Sequence, residues 1–172
     1  MLSTDRLILR KHTLQDTDLV WQLANDPVVL EFIRGLPTSR EEAWHRLLRY
    51  AGHWSLLNFG MFAVFERTTN QIIGEVGLAD FQRGLGEDFD GTPEAAWVFA
   101  GSSHGKGYAL EAMSAALNWF DDQSVSSRSV CIINPSNVAS IRLSEKLGFV
   151  HYGQACYREK EVNKYERTRS NN

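Results

Sequence analysis

His104-Gly105-Lys106-Gly107-Tyr108-Ala109 is the stretch on which the fold of this chain turns. A run from Glu94 to Ala100 leads into it and reads as a strand; the run from Tyr108 to Asp121 leads out of it and reads as a helix. Glycines at the mouth of a helix let the backbone approach a ligand closely, and the first-turn N–H groups have no partner inside the helix. With the helix dipole, those groups favour anions, phosphates above all. The stretch therefore reads as a pyrophosphate seat. Two other phosphate loops fit it badly. A dinucleotide fingerprint needs a third glycine where Leu110 stands and an early place in the chain, and this loop lies past the middle. A Walker loop needs Ser or Thr after Gly-Lys to hold magnesium, and Gly105-Lys106 is followed by Gly107. Taken alone, the stretch also fits an ordinary glycine-bearing turn.

A second constellation lies downstream. The apolar run Ser129 to Ile133 is followed by Asn134-Pro135-Ser136-Asn137 and then by Val138-Ala139-Ser140-Ile141-Arg142-Leu143-Ser144-Glu145-Lys146-Leu147-Gly148-Phe149. Asn137 is a good N-cap, and Ile141, Leu143 and Leu147 have the spacing of a short amphipathic helix. Gly148 stops that helix in the usual left-handed position, and Phe149 opens another strand. A capped helix explains the spacing but not its pairing with the upstream loop.

The remainder reads as one α/β domain over residues 1–172. A strand is expected at Leu7–Lys11, a helix at Asp16–Asn25 ended by Asp26-Pro27, and a second helix at Ser39–His53. Strands follow at Met61–Glu66 and Gln71–Phe81, then a polar loop Gln82–Pro93. After the two constellations come strands at Val150–Tyr157 and Glu161–Arg167. The mixed charges of Arg158 to Arg169 suggest an exposed strand pair or a fraying end. The crossover from the strand before Gly105 to the one after Ser126 should be parallel and right-handed. No apolar run reaches the ~18 residues that span a bilayer. The N-terminus has no secretory signal pattern. Cys131 and Cys156 have no metal-ligand spacing and suit a reducing cytoplasm. A net charge of −3 argues against a nucleic-acid surface.

These motifs resemble the GNAT N-acetyltransferases, and most closely their RimJ/RimL-type branch. Thr4-Asp5-Arg6-Leu7-Ile8-Leu9-Arg10 looks like the branch's opening strand, and Asp16 to Phe32 like its first helix and the segment after it. Ile72-Ile73-Gly74-Glu75-Val76-Gly77-Leu78 is similar to its third strand, His104 to Ala112 to its acyl-CoA loop and helix, and Asn137 to Phe149 to its closing helix. The resemblance implies a mixed, mostly antiparallel sheet, splayed between its fourth and fifth strands and flanked by helices. It implies acetyl-CoA as cosubstrate, no metal, and an amine acceptor: a protein N-terminus or a small molecule. The enzyme would act as a monomer or homodimer. The pantetheine arm would run along Trp97, Val98 and Phe99. The pyrophosphate would meet His104, Gly105, Lys106, Gly107, Tyr108 and Ala109. Asn137 and Ser140 would stand near the thioester.

The reaction so implied is attack of a neutral amine on a thioester, with a strand N–H steadying the oxyanion. Deprotonating a lysine-like amine of pKa ≈ 10.4 at pH 7 costs about 4.6 kcal/mol, and an α-amine near 7.8 about 1.1 kcal/mol. Many relatives carry a carboxylate where Ile132 stands, a tyrosine where Ser144 stands, and a glutamate where Tyr152 stands. Proton handling must then fall elsewhere. Glu94 or Glu75, acting through water, is a candidate base, and Ser140, Tyr152 or Tyr157 a candidate acid. Otherwise an α-amine acceptor needs little base, and orientation supplies the rate. Each of these side chains also has a plain structural reading, as does Glu111 one turn into its helix. The acceptor pocket is expected from Val28–Pro37, the loop Gln82–Glu94 and the last strands. Glu87, Asp88 and Asp90 would draw a cation, and Arg34 a carboxylate or phosphate. A module that binds acyl-CoA without turning it over is the alternative outside enzymes.

Overall fold

A computed structural model describes residues 1–31 and 36–169. Eight strands form one sheet: β1 (Leu2–Ser3), β2 (Leu7–Lys11), β3 (Met61–Glu66), β4 (Ile72–Ala79), β5 (Glu94–Phe99), β6 (Arg128–Ile133), β7 (Val150–Tyr157) and β8 (Lys160–Thr168). Their order is β1-β2-β3-β4-β5-β6-β8-β7. Every neighbouring pair is antiparallel except β5 and β6, which are parallel. Five α-helices are found among the described residues: α1 (Thr17–Ala24), a single turn α2 (Pro27–Val29), α3 (Arg40–Leu57), α4 (Tyr108–Asp122) and α5 (Val138–Lys146). No helix among the described residues is long and apolar enough to cross a membrane.

Strand register sorts the side chains into two layers. Leu9, Val64, Val76 and Phe62 point to one face, where Ala112, Met113, Ala116 and Leu117 of α4 complete the main core. Arg10, Ala63, Glu75 and Val98 occupy the alternate row. That face is covered by α1 through Leu23 packed on Val98, and by α3 through Tyr50 and Arg46 bonded to Glu75. Burying four fully enclosed α4 side chains stabilises the fold by roughly 1.5–3 kcal/mol for each larger one.

Two expectations need correction. The helix expected to end at His53 continues to Leu57, because nothing breaks it before Asn58 takes a left-handed conformation (φ 60°). Its start is held by a capping box between Ser39 and Glu42. The charged tail does not fray: it forms a strand pair with β7, but a partly buried one. β8 is inserted between β6 and β7, with Val162 and Tyr165 buried and Arg167 paired with Asp121 of α4 at 2.6 Å. Its alternating charges conceal that apolar pair from a reading of composition.

Candidate active site

The parallel pair β5–β6 has a single register pair among the described residues, Glu94↔Val130, braced by Val130 N–H donating to Pro93 O at 3.0 Å. Beyond it the strands part. Antiparallel strands engage alternate residues on each edge. Ala100 N–H donates to Ile73 O, so Ala100 and Val98 bond towards β4, while Ala95, Trp97 and Phe99 direct their backbone groups into the gap. His104 Nε2–H donates to the Phe99 carbonyl at 3.0 Å. That leaves the Trp97 N–H and C=O and the Phe99 N–H facing the opening.

At the open end of the gap the chain turns through Gly105 (φ 73°) and Gly107 (φ 78°). Gly107 is the N-cap of α4 and brings no side-chain cap, so the first-turn N–H groups remain available. The turn is clamped from behind. Arg6 donates through Nη1 to Lys106 O at 2.9 Å and pairs through Nη2 with Glu111 at 2.6 Å, and Glu111 also accepts from Thr4 Oγ1. Glu111 thus anchors the helix start to the β1–β2 turn. Across the gap, Asn137 caps α5 by accepting from Ser140 N–H at 3.0 Å. Its Nδ2 has no partner among the described residues.

Together these elements enclose a cleft of about 630 Å³. Trp97, Val98, Phe99, His104, Gly105, Gly107, Tyr108, Ala109, Asn137 and Ser140 all line it; Lys106 alone of the expected cosubstrate residues does not. Val28 and Val29, the start of the segment expected to line the acceptor pocket, form one wall of this cleft. They are placed by Asp26, which accepts from Val28 N–H at 2.9 Å and from Gly101 N–H at 3.1 Å. Gly101 is required there, since a Cβ would fall 2.8 Å from Val28 Cγ2. Arg142 and Lys146, one helical turn apart on α5, also line the cleft and were missed. Their i, i+4 spacing beside Asn137 was the available signal.

The candidate proton carriers fall into separate groups, with only Glu94 and Tyr157 linked, through Arg83. Glu94 is buried at the closed end of the gap and outside the cleft lining. Arg83 grips it with two bonds of 2.6 and 2.7 Å, and stacks over Phe81 and Tyr157 with its carbon 4.7 and 4.9 Å from the ring centres. Burial pushes the Glu94 carboxyl up, and Arg83 only partly draws it back. Tyr157 therefore joins Glu94 through a shared guanidinium. Tyr152 lies in another cluster, with Lys164 4.9 Å and Arg128 5.4 Å from its ring centre, and burial raises its phenol. Glu75 is enclosed on the α3 face by His12 at 3.1 Å, Tyr50 at 3.1 Å and Arg46 at 3.0 Å. Burial alone would raise its carboxyl, but Arg46 and the bonds from His12 and Tyr50 outweigh it and bring it down to about 2. Ser140 Oγ accepts from Trp97 Nε1 at 3.2 Å. In the acidic loop, Asp88 pairs with Lys164 of β8 at 2.6 Å, Asp90 accepts from the N–H groups of Gly84 and Gly86, and Glu87 is exposed. Arg34 lies outside the described residues.

Comparison with known proteins gives these features a context. Residues 6–150 match the family model described as the acetyltransferase (GNAT) domain. A structure from Bordetella pertussis, described as GnaT-family, is 32% identical with a TM-score of 0.89, covering 97% of this chain and 98% of its own. The fold is also shared with AAC(6')-Ib bound to paromomycin and acetyl-CoA (19% identity, TM-score 0.79, 96% and 94% covered). It is shared equally with RimL, a ribosomal L7/L12 α-N-protein acetyltransferase bound to coenzyme A (17% identity, TM-score 0.79, 96% of each chain).

Proposed function

The chain belongs to the GNAT acetyltransferase family, and from that premise we propose that it moves an acetyl group from acetyl-CoA to the α-amine of a protein or peptide N-terminus. The observation that carries the first half is the gap between β5 and β6. It offers unpaired strand groups at Trp97 and Phe99 for the amides of a pantetheine arm, and the uncapped start of α4 for its pyrophosphate. Over the rise from Phe99 to Glu94, five residues at ~3.3 Å each, an extended arm would bring its thioester towards the closed end.

The acceptor follows from the carboxylates. Glu75 is held near 2 by its partners and is a poor proton acceptor at neutral pH. Glu94 is locked to Arg83. A site whose two candidate carboxylates are both paired suits an amine that is already partly neutral at pH 7. The roughly 3.5 kcal/mol that separates an α-amine from a lysine side chain in deprotonation is what such a site leaves to the substrate. Trp97 N–H would steady the oxyanion, and the Ser140 hydroxyl would face the departing sulfur. The two fold relatives act on an α-N-terminus and bind an aminoglycoside, so the fold does not choose between them.

Thiol release from acetyl-CoA tests the reading. A peptide with a free N-terminus and blocked lysines should turn over roughly 400-fold faster than its N-blocked, lysine-bearing counterpart, on the deprotonation difference. Faster lysine acetylation, or turnover of small amines alone, overturns the acceptor. Thermal stabilisation by acetyl-CoA with no thiol released from any amine would make the protein a binder.

A further inference from the structure

Two serines on α5, one turn apart, are used differently. Ser144 is fully buried and its hydroxyl donates to Ile141 O at 2.8 Å, the usual back-bond of a helical serine. Ser140 lines the cleft and makes no such bond among the described residues. Its oxygen instead accepts from Trp97 Nε1–H at 3.2 Å. An indole nitrogen can only donate, so the direction of this bond is fixed. The hydroxyl's own hydrogen has no acceptor among the described residues.

We propose that Trp97 is a positioning residue for the leaving group: its indole N–H holds the Ser140 oxygen so that the Ser140 hydrogen is offered to the sulfur of a departing CoA thiolate. This rests on the reading that an acyl-CoA thioester fills the cleft. The bond spans the gap, from β5 on one lip to the start of α5 on the other. Trp97 is a firm post, because its ring packs against the main core, and both residues face the cleft. Accepting a bond also polarises the hydroxyl and makes it a better donor.

The step balances as follows. The amine lone pair attacks the thioester carbon, a C–N bond forms, and the C–S bond breaks with its electron pair on sulfur. The nitrogen loses one proton, and sulfur gains one. A thiolate is a far weaker base than an alkoxide, so Ser140 keeps its proton. It stabilises the sulfur by hydrogen bonding while the proton from nitrogen arrives through solvent. Ser144, which stands where many relatives have tyrosine, has its hydroxyl turned into its own helix and cannot serve.

The test is a double-mutant cycle with the acceptor that turns over best. Ser140→Ala should lower kcat roughly 10- to 100-fold, the range of a hydrogen bond to a charged acceptor. Trp97→Phe keeps a ring and loses the N–H, and should lower kcat about 5- to 10-fold with the KM for acetyl-CoA within about twofold. Trp97→Tyr should behave alike and covers the chance that phenylalanine packs badly. The combined variant should be no slower than Ser140→Ala. If Trp97→Phe slows the Ser140→Ala enzyme by its full factor, or leaves wild-type kcat intact, the coupling is refuted. If Ser140→Ala alone keeps full kcat, the role of Ser140 is refuted while the cleft reading stands. Absence of acetyl-CoA binding to the wild-type protein in calorimetry would instead remove the cleft reading itself.

Discussion

The open and closed ends of the cleft are built from different material. At the open end the donors are main-chain N–H groups, set by two left-handed glycines and clamped by Arg6. At the closed end, side chains converge from distant parts of the chain: Glu94 from β5, Arg83 from a loop and Tyr157 from β7. One strand away, Glu75 collects His12, Tyr50 and Arg46. A seat made of backbone tolerates most side-chain changes and fails when the backbone is bent. A cluster of paired charges responds to the loss of any partner. The open end should therefore govern cosubstrate affinity, and the closed end stability and proton traffic.

The largest expected effect is at the closed end. Glu94→Ala leaves the Arg83 guanidinium, only 19% exposed, without its carboxylate. Breaking a buried pair from one side costs about 3 kcal/mol or more. Urea unfolding should show that loss, while the folded protein binds acetyl-CoA within about threefold of wild type. Arg83→Gln separates structure from chemistry. Without Arg83 the Glu94 carboxyl, already raised by burial, rises further. If Glu94 is a base, the acid limb of the rate profile moves to higher pH; if it is purely structural, only stability falls.

The two ends also differ in how far the sequence discloses them. The glycines, the turn and the capped helix after Asn137 are local, and their geometry follows from adjacent residues. The parallel β5–β6 pair followed as well, since a strand-helix-strand unit allows little else. The Arg83–Glu94 grip, Asp26 reaching Gly101, and β8 lying between β6 and β7 depend on which strands meet. Residue types do not state that. The pairing of Asp88 with Lys164, some 76 positions along the chain, is of the same kind.

Acid stability sharpens the contrast next. The Glu75 carboxyl is depressed from 4.5 to about 2 in the folded protein. A depressed carboxyl contributes stability that is fully present above its unfolded pKa and is lost as pH falls through its folded one. The contribution, of order 3 kcal/mol, should therefore disappear between about pH 4.5 and 2. Glu75→Gln should flatten this limb in acid-unfolding curves. It should not abolish it, because Asp16 and Glu111 are lowered too. An unchanged limb would mean that the buried network is not what holds the fold together at low pH.

At the open end, Gly107→Val forces a β-branched residue into φ 78°. Left-handed geometry costs an ordinary residue roughly 1–2 kcal/mol, and a branched one more, so acetyl-CoA affinity should fall about 30-fold as the turn relaxes. Lys106→Gln, whose side chain is outside the cleft, should change it less than twofold on the same argument. Equal effects at the two positions would show that side-chain charge, not backbone, holds the pyrophosphate.

The smallest effect is expected at His104, and it separates support from chemistry. Its ring donates to the Phe99 carbonyl and so fixes the last residue of β5 beside the phosphate turn. His104→Ala removes one hydrogen bond of about 1 kcal/mol, which corresponds to a three- to fivefold rise in the KM for acetyl-CoA. The value of kcat at saturation should stay the same, because no step of the transfer passes through the ring. His104→Gln retains a donor of similar reach and should recover most of the affinity. A collapse of kcat in His104→Ala, with KM unchanged, would place the imidazole among the reacting groups. The open end would then be more than a backbone seat, and the division of labour along the cleft would have to be redrawn.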